Sequence, residues 1–237
     1  MSRSITVVFL RHAATAWSAE RRVHADDAPL SPEGEAQTAR WRLPADLLRL
    51  QAAGQLGWAT SPLRRAVETG RRLGATAPVV DPRLAELDYG DWKGLRFEEV
   101  DALTRDTGWD GRPPGGESPA EVLGRVHAWL DERAAQPGPE TWIAVTHGGV
   151  IRAVLGAAVG WDLRPPSPWR PLPERLHRIR RRANGLLQLV TLNEPLLSPG
   201  GESHPPDPRD ASGLRPSGRP APPVVPPWTP PPGGLST

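Results

Sequence analysis

The chain has 237 residues, a formal net charge of +2, 38% hydrophobic residues and no cysteine. The lack of cysteine excludes disulfides and thiolate metal sites, and it fits a reducing compartment. The charge is too small to indicate a nucleic-acid partner, no apolar run approaches the roughly 18 residues of a membrane span, and the first residues do not read as a signal peptide. We therefore expect a cytoplasmic protein that binds neither nucleic acid nor membrane, as a monomer or a homodimer.

Apolar runs and helix-end signals divide the chain into alternating strands and helices. Residues 5–10 predict a buried strand that stops at Arg11-His12. Ser31 is a good helix N-cap, followed by proline and an acid, and this helix should break near Pro44. The remaining predictions are a strand at 57–61, a helix at 62–73 ended by Gly74, a strand at 79–80, a short helix at 97–104, a helix at 118–135 opened by a capping box, a strand at 141–146, a helix from 148 to about 159 and a last strand at 185–191.

Strands that alternate with helices predict an α/β fold, here a three-layer α/β/α sandwich with a mostly parallel central sheet. From residue 195 onward the composition changes, since nearly half of the 30 prolines lie there among glycine and serine. Such a segment cannot bury enough apolar surface to offset its chain entropy. We predict one domain at 1–194 and a Pro/Gly-rich disordered tail at 195–237. The arginine run at 178–182 is interpreted as a solvated edge.

Two histidines, His12 and His147, each follow an apolar strand. In an open α/β sheet the carboxyl ends of the strands form the ligand site, so these histidines should lie close together. Arg11 and Arg65 offer forked donors suited to phosphate, and a helix that begins at Gly148 directs its N-terminal dipole to the same place. A neutral imidazole can serve as a nucleophile toward a phosphomonoester.

Glu86 follows a predicted strand end and could protonate the leaving alkoxide. Taken singly, each residue also has a structural interpretation: a strand-end histidine as a hydrogen-bonding group, Arg65 as part of a solvated helix face, and Glu86 as a cap or ion-pair partner. His24 lies in the loop beside the site and could touch substrate. A metal site is the competing account, but no ligand spacing typical of metals is present and the two arginines would repel a divalent cation.

Six blocks, in order, are similar to the histidine phosphatase superfamily, in its phosphoglycerate-mutase-like branch. They are residues 10–18 (LRHAATAWS), 29–37 (PLSPEGEAQ), 60–66 (TSPLRRA), 84–90 (LAELDYG), 114–118 (PGGES) and 145–149 (VTHGG). The resemblance covers residues 5–192. It implies the phosphoglycerate-mutase-like fold and a phosphohistidine mechanism without metal or other cofactor.

The resemblance also implies a role for each site residue. His12 would be the nucleophile, Glu86 would protonate the leaving group, and Arg11, Arg65 and His147 would hold the phosphoryl oxygens. The expected phosphate-binding residues are Arg11, Thr15, Ser18, Arg65, His147 and Gly148.

Three positions depart from the family pattern. Ala13 replaces the signature glycine, which the loop should tolerate if φ is negative. Ala14 stands where an acid is common, and Ser18 stands where a phosphate-contacting Asn is usual, although a hydroxyl can still donate. These departures motivate an alternative interpretation, in which the protein is a catalytically weak module that binds phosphorylated ligands or has a regulatory role.

Within enzymes, residues 98–117 lack a clear counterpart of the basic pair found in mutases, and residues 89–94 look more like phosphatase-type members. The preferred function is therefore hydrolysis of a small phosphorylated metabolite, with a phosphoglycerate-type mutase as the alternative. Specificity should be determined by the loop at 21–27 and the insertion at 91–117, where Trp92 and Trp109 could line a substrate pocket.

Overall fold

The computed structural model describes residues 2–25, 27–104, 112–161 and 171–197. Its strands are β1 (Ile5–Arg11), β2 (Leu56–Thr60), β3 (Val79–Val80), β4 (Thr141–Thr146), β5 (Arg175–Arg181) and β6 (Leu187–Pro195). They form one sheet in the order β3-β2-β4-β1-β5-β6. Strands β1 to β4 are mutually parallel, and β5 runs antiparallel to both of its neighbours. The prediction of a mostly parallel sheet is confirmed.

Seven helices are present in the described ranges. They are α1 (Ala16–Ala19), α2 (Pro32–Arg40), α3 (Ala45–Ala52), α4 (Arg64–Arg72), α5 (Phe97–Thr104), α6 (Pro119–Ala135) and α7 (Gly148–Val159), with single 3-10 turns at Pro82–Leu84 and Gly90–Trp92. Within that described part, no helix has the length and apolar character needed to cross a bilayer.

Helices cover both faces of the sheet, because side chains alternate along each strand. In β1, Val7 and Phe9 pack into a core with α6 and α7, whereas Val8 and Leu10 pack into a second core with α3 and α4. Each of these four side chains is at most 1% exposed. This arrangement is the predicted three-layer sandwich.

Local helix signals account for the ends of the helices. Ser31 accepts a hydrogen bond from Gly34 N and Pro32 opens α2, while Ser118 and Glu121 form the capping box of α6. Gly74, with φ of +102°, follows the last turn of α4 as predicted. The break expected near Pro44 separates α2 from α3.

The interpretation of the arginine run at 178–182 as a solvated edge is wrong. Residues 175–181 form β5, which lies between β1 and β6. Leu176 and Ile179 are at most 1% exposed, and Arg181 is only 5% exposed. The strand accommodates Arg178 and Arg181 because carboxylates from other elements pair with their guanidinium groups, whereas Arg180 is exposed. Arg178 pairs with Asp46 and Glu194, and Arg181 pairs with Asp131.

The folded part of the chain runs past the predicted start of the tail at residue 195. Strand β6 ends at Pro195, four residues later than the predicted last strand, because it pairs with β5 along its whole length. Leu196 is 1% exposed, and Leu197 pairs its backbone with Arg42. Residues 195–197 therefore belong with the domain, and the rest of the predicted tail, 198–237, lies outside the described residues.

Candidate active site

His12 is positioned by the end of β1. Its backbone N–H donates to Thr146 O at 2.9 Å, which continues the pairing of β1 with β4 by one residue. The ring is 4% exposed. Its Nδ1 lies 2.8 Å from Ala13 O, and Arg65 Nε lies 3.3 Å from its Nε2. A carbonyl only accepts and a guanidinium only donates, so these partners assign the proton to Nδ1 and a lone pair to Nε2.

The surroundings of His12 also keep its ring neutral. Burial lowers the pKa of His12 well below its usual 6.5, and the nearby charges of Arg11 and Arg65 lower it further. A histidine that is neutral at pH 7 and has its Nε2 lone pair facing an arginine can attack an electrophile drawn in by that arginine.

His147 lies beside His12 because β4 and β1 end next to each other. The two ring centroids are 5.1 Å apart. His147 is fully buried, it is the N-cap residue of α7, and its Nε2 lies 2.7 Å from Ser61 Oγ at the end of the neighbouring strand β2. Burial, followed by the effect of His12 and then Arg65, lowers its pKa well below the usual value. Both predicted histidines are therefore neutral and share one pocket.

Two guanidinium groups give this pocket a positive potential. Arg65, in the first turn of α4, is 1% exposed despite its charge and reaches His12 with Nε. Its Nη1 lies 3.9 Å from the carboxylate of Asp27. Arg11, the last residue of β1, lies close to Gly148, the first residue of α7. Its Nε is 3.8 Å from the position that a Cβ on Gly148 would occupy. The start of the 12-residue helix α7 adds its positive dipole end to the two charges.

Glu86 completes the site on the side of the 3-10 turn Pro82–Leu84. Thr146 Oγ1 donates to Leu84 O at 2.7 Å, which ties this turn to the end of β4. Glu86 Oε1 accepts hydrogen bonds from the backbone N–H groups of Leu87 at 2.9 Å and Gly149 at 3.0 Å. Burial raises the pKa of Glu86, against the opposing effect of these donors and of the two arginines. A carboxyl group with a raised pKa is suited to act as a general acid.

Thr15 and Ser18 are close to the site but already bonded to each other. Thr15 is the N-cap of α1, and Ser18 returns the bond, so that the two form a capping box. Ser18 Oγ accepts from Thr15 N at 2.7 Å and donates to Thr15 O at 2.9 Å. The Thr15 hydroxyl, fully buried, also lies 2.7 Å from His24 Nε2. In this structure the Ser18 hydroxyl is thus used to hold α1.

His24 reaches into the pocket from the loop after α1. Its ring meets that of His12 edge to face with centroids 5.5 Å apart, and the ring centroids of Trp17 and His24 are 6.5 Å apart. Burial and the two site arginines lower the pKa of His24 to about 3. The loop is held by backbone bonds between Val23 and residues 94–95, so His24 is connected to the segment that leads into α5.

Sequence reasoning did not assign roles to three residues that shape the site. Ser61 bonds His147, Gly149 allows Glu86 to approach α7, and Gly34 allows α2 to approach the loop after His12. All three lie inside the blocks already quoted, but nothing in a local pattern gives their distant partners. Ala13, at the position of the signature glycine, is not among the residues with positive φ, so the condition for tolerating alanine is met. Trp92 is half-buried, and Trp109 lies outside the described residues.

The arrangement is a buried cationic pocket with a nucleophilic nitrogen on one side and a carboxylic acid on another. Among the described residues, no group of three or more histidine, aspartate or glutamate side chains is placed to hold a metal ion. The geometry suits transfer of a group that carries negative charge on several oxygens, such as a phosphoryl group.

The chain belongs to the histidine phosphatase superfamily (branch 1), whose family model matches residues 7–195. Its six-stranded sheet with helices on both faces is the phosphoglycerate-mutase-like fold. The chain is 33% identical over 170 residues to a probable phosphoglycerate mutase GpmB of Enterobacter sp. (strain 638), which covers 66% of this chain and 75% of that relative.

The similar solved structures include a phosphatase, whereas the curated relative is named a probable mutase. The mycobacterial glucosyl-3-phosphoglycerate phosphatase Rv2419c, in complex with VO3, is similar with a TM-score of 0.65 and 27% identity over 80% of this chain and 99% of that one. The protein TTHB049 from Thermus thermophilus is similar with a TM-score of 0.56 and 28% identity over 80% and 99% of the two chains. Family and neighbours together support phosphatase or mutase activity.

Proposed function

We propose that this protein is a metal-independent phosphomonoester hydrolase that acts on a small phosphorylated metabolite through a phosphohistidine at His12. The observation that carries the proposal is the hydrogen bonding of the His12 ring, from which its tautomer follows. Its Nε2 lone pair is buried beside Arg65, while Ala13 O holds the proton on Nδ1. This is the state in which a histidine can attack phosphorus.

In the first step the phosphoryl oxygens bind between Arg11, Arg65 and His147, with the start of α7 behind them. As Arg65 Nε–H turns from His12 to a phosphoryl oxygen, the freed Nε2 lone pair of His12 forms the P–N bond, and the P–O bond to the leaving group breaks. The leaving oxygen takes the electron pair of that bond together with a proton from Glu86. Burial raises the pKa of Glu86, which favours the protonated form that supplies this proton.

In the second step water replaces the leaving group. The Glu86 carboxylate takes a proton from the attacking water, the new P–O bond forms, and the P–N bond breaks. Its electron pair returns to Nε2 of His12, and inorganic phosphate leaves. The cycle thus returns both residues to their starting states without a metal or another cofactor.

Two observations favour hydrolase over mutase. Residues 98–117 lack a clear counterpart of the basic pair of mutases, and Arg112 in this range is paired with Glu121. The solved neighbour described above is named a phosphatase. A cleft beside Glu86 is lined by polar side chains whose charges are largely paired, such as Arg125 with Glu117, and it suits a polar, hydroxylated leaving group. The mutase alternative is favoured by the name of the curated relative.

The test is phosphate release from p-nitrophenyl phosphate and a panel of phosphorylated metabolites, with a chelator present. We expect release by the wild-type protein, none by His12→Ala, and unchanged release by the control His127→Ala, which removes a histidine on α6 outside the site. Loss of activity in chelator would instead indicate a metal enzyme.

Two further outcomes would replace the proposal. Isomerisation of a phosphoglycerate without net phosphate release would identify a mutase. No turnover of any substrate, with phosphate or vanadate still bound, would identify the catalytically weak binding module that the substitutions at Ala13, Ala14 and Ser18 motivate.

A further inference from the structure

The Ser61 hydroxyl is fully buried, and its proton has one available acceptor among the described residues. Ser61 is 0% exposed, and its Oγ accepts a hydrogen bond from Leu63 N at 3.2 Å. The other neighbour within hydrogen-bond distance among the described residues is His147 Nε2, at 2.7 Å. A buried hydroxyl proton without an acceptor is costly. The Ser61 O–H therefore donates to Nε2, which must carry a lone pair.

The other nitrogen of His147 then carries the ring proton. Nδ1 is buried and has no hydrogen-bond partner within the described part of the chain. With the proton on Nδ1, one donor is left unsatisfied. The opposite tautomer would leave both the Ser61 proton and the Nδ1 lone pair unsatisfied. The accounting of buried polar groups thus favours Nδ1–H.

A buried N–H that lacks a partner, in a pocket with two arginines, is suited to an anionic oxygen. The His147 ring is 5.1 Å from the His12 ring, so a phosphoryl group bound at His12 would lie beside the His147 ring. His12 and His147 have the same tautomer but offer the pocket different atoms. His12 offers the Nε2 lone pair, because Ala13 O holds its Nδ1–H, and His147 offers the Nδ1–H.

We propose that Ser61 is a positioning residue that selects the Nδ1–H tautomer of His147, so that a neutral His147 donates to the phosphoryl group instead of repelling it with a lone pair. This inference rests on the proposed function, since it assumes a phosphoryl ligand in the pocket. Without the serine hydroxyl, His147 would populate the Nε2–H tautomer and turn a lone pair toward the phosphoryl oxygens.

The test pairs a spectroscopic and a binding measurement on Ser61→Ala. Side-chain ¹⁵N shifts of histidine-labelled protein report which ring nitrogen of His147 is protonated. Inhibition by orthovanadate reports affinity for a phosphoryl mimic. We expect Nδ1–H in the wild-type protein, a population of Nε2–H in Ser61→Ala, and vanadate binding weakened about 10- to 100-fold, the range for a lost hydrogen bond to a charged group.

A matched control and a graded variant separate this role from loss of a buried hydroxyl in general. Thr38→Val removes a buried hydroxyl that donates to Glu35 O on α2, and it should leave vanadate affinity and the His147 tautomer unchanged. Ser61→Cys keeps the shape with a weaker donor and should fall between wild type and Ser61→Ala.

Nε2–H on His147 in the wild-type protein would overturn the inference, as would wild-type vanadate affinity in Ser61→Ala. Failure of the proposed function is distinguishable, because it would show as a wild-type protein that releases no phosphate in the presence of chelator, whether or not vanadate binds and whatever the tautomer of His147.

Discussion

Replacing Gly149 by alanine should impair acid catalysis and leave the fold intact. A Cβ added to Gly149 would lie 2.5 Å from Glu86 Oε1, whereas ordinary contact begins at 3.4 Å. The carboxyl group must therefore move by 0.9 Å, the difference between these two distances. The severe clash is with the end of a flexible side chain, and Leu87 Cβ at 3.1 Å need give only a few tenths of an ångström, so the movement costs the fold little. It does break the hydrogen bond from Gly149 N that positions the acid.

A displacement of about 1 Å in a catalytic group can cost about 100-fold in rate. We expect that loss in kcat/KM for an alkyl phosphate, whose alkoxide leaving group needs a proton. The loss should be within a few-fold for p-nitrophenyl phosphate, because p-nitrophenolate leaves without one. The ratio kcat/KM reports on steps up to the first cleavage, so slow hydrolysis of the phosphoenzyme does not mask the difference.

Gly124→Ala is the matched control, since a Cβ added to this glycine of α6 meets nothing within 4 Å. It should leave both substrates unaffected. Equal losses of Gly149→Ala on the two substrates, or no loss on the alkyl phosphate, would refute the reasoning that Gly149 sets the position of the acid.

Three further predictions concern pH, the loop after His12 and β5. Glu86 must be protonated to act, and its pKa is raised above 4.5, so kcat/KM for an alkyl phosphate should fall as pH rises through that pKa. The acid limb of the pH profile, which comes from His12, should lie well below pH 6.5. A Glu86→Gln variant that kept the alkaline limb would contradict the assignment. Gly34→Ala would place a Cβ 2.1 Å from Ala14 O, a backbone atom that cannot move alone, so both the melting temperature and the activity on every substrate should drop, and an unchanged pair of values would show that the loop adapts. Arg178→Met should lower the free energy of unfolding, measured in urea, by about 2 kcal/mol. This is less than the roughly 3–5 kcal/mol of a fully buried pair, because the side chain of its partner Asp46 is 44% exposed. The control is Arg180→Met, at an exposed position on the same strand, and equal effects of the two substitutions would mean that the ion pairs of Arg178 contribute nothing.

The sequence predicts best those elements whose signals are local. The bounds of β4, α5 and α7 match the predicted ranges, since each begins or ends at a cap, a proline or a change from apolar to polar residues. The sequence does not predict β5, because four arginines and a histidine outnumber its two apolar residues, Leu176 and Ile179, and the segment resembles a charged surface. One of the ion-pair partners of Arg178 is Asp46, which lies 132 residues away in the chain, and no local pattern contains that information.

The candidate site divides in the same way. That His12 and His147 meet follows from strand ends in a parallel sheet, and the structure places their rings 5.1 Å apart. The hydrogen bond between Ser61 and His147 joins residues that are 86 positions apart in the chain, and the close approach of Glu86 to Gly149 joins residues that are 63 positions apart. Both depend on distances of a few tenths of an ångström, which only packing determines. The edge-to-face approach of His24 to His12 is of the same kind.

The most direct test of the central claim is to trap the phosphoenzyme. The wild-type protein would be mixed with a labelled phosphomonoester, quenched in alkali within a turnover, and its peptides mapped by mass. Phosphohistidine survives alkali and is lost in acid. We predict one phosphoryl group on the peptide that contains His12 and none in His12→Ala. Steady phosphate release without such an adduct, or an adduct that persists in His12→Ala, would contradict a phosphohistidine mechanism at this residue.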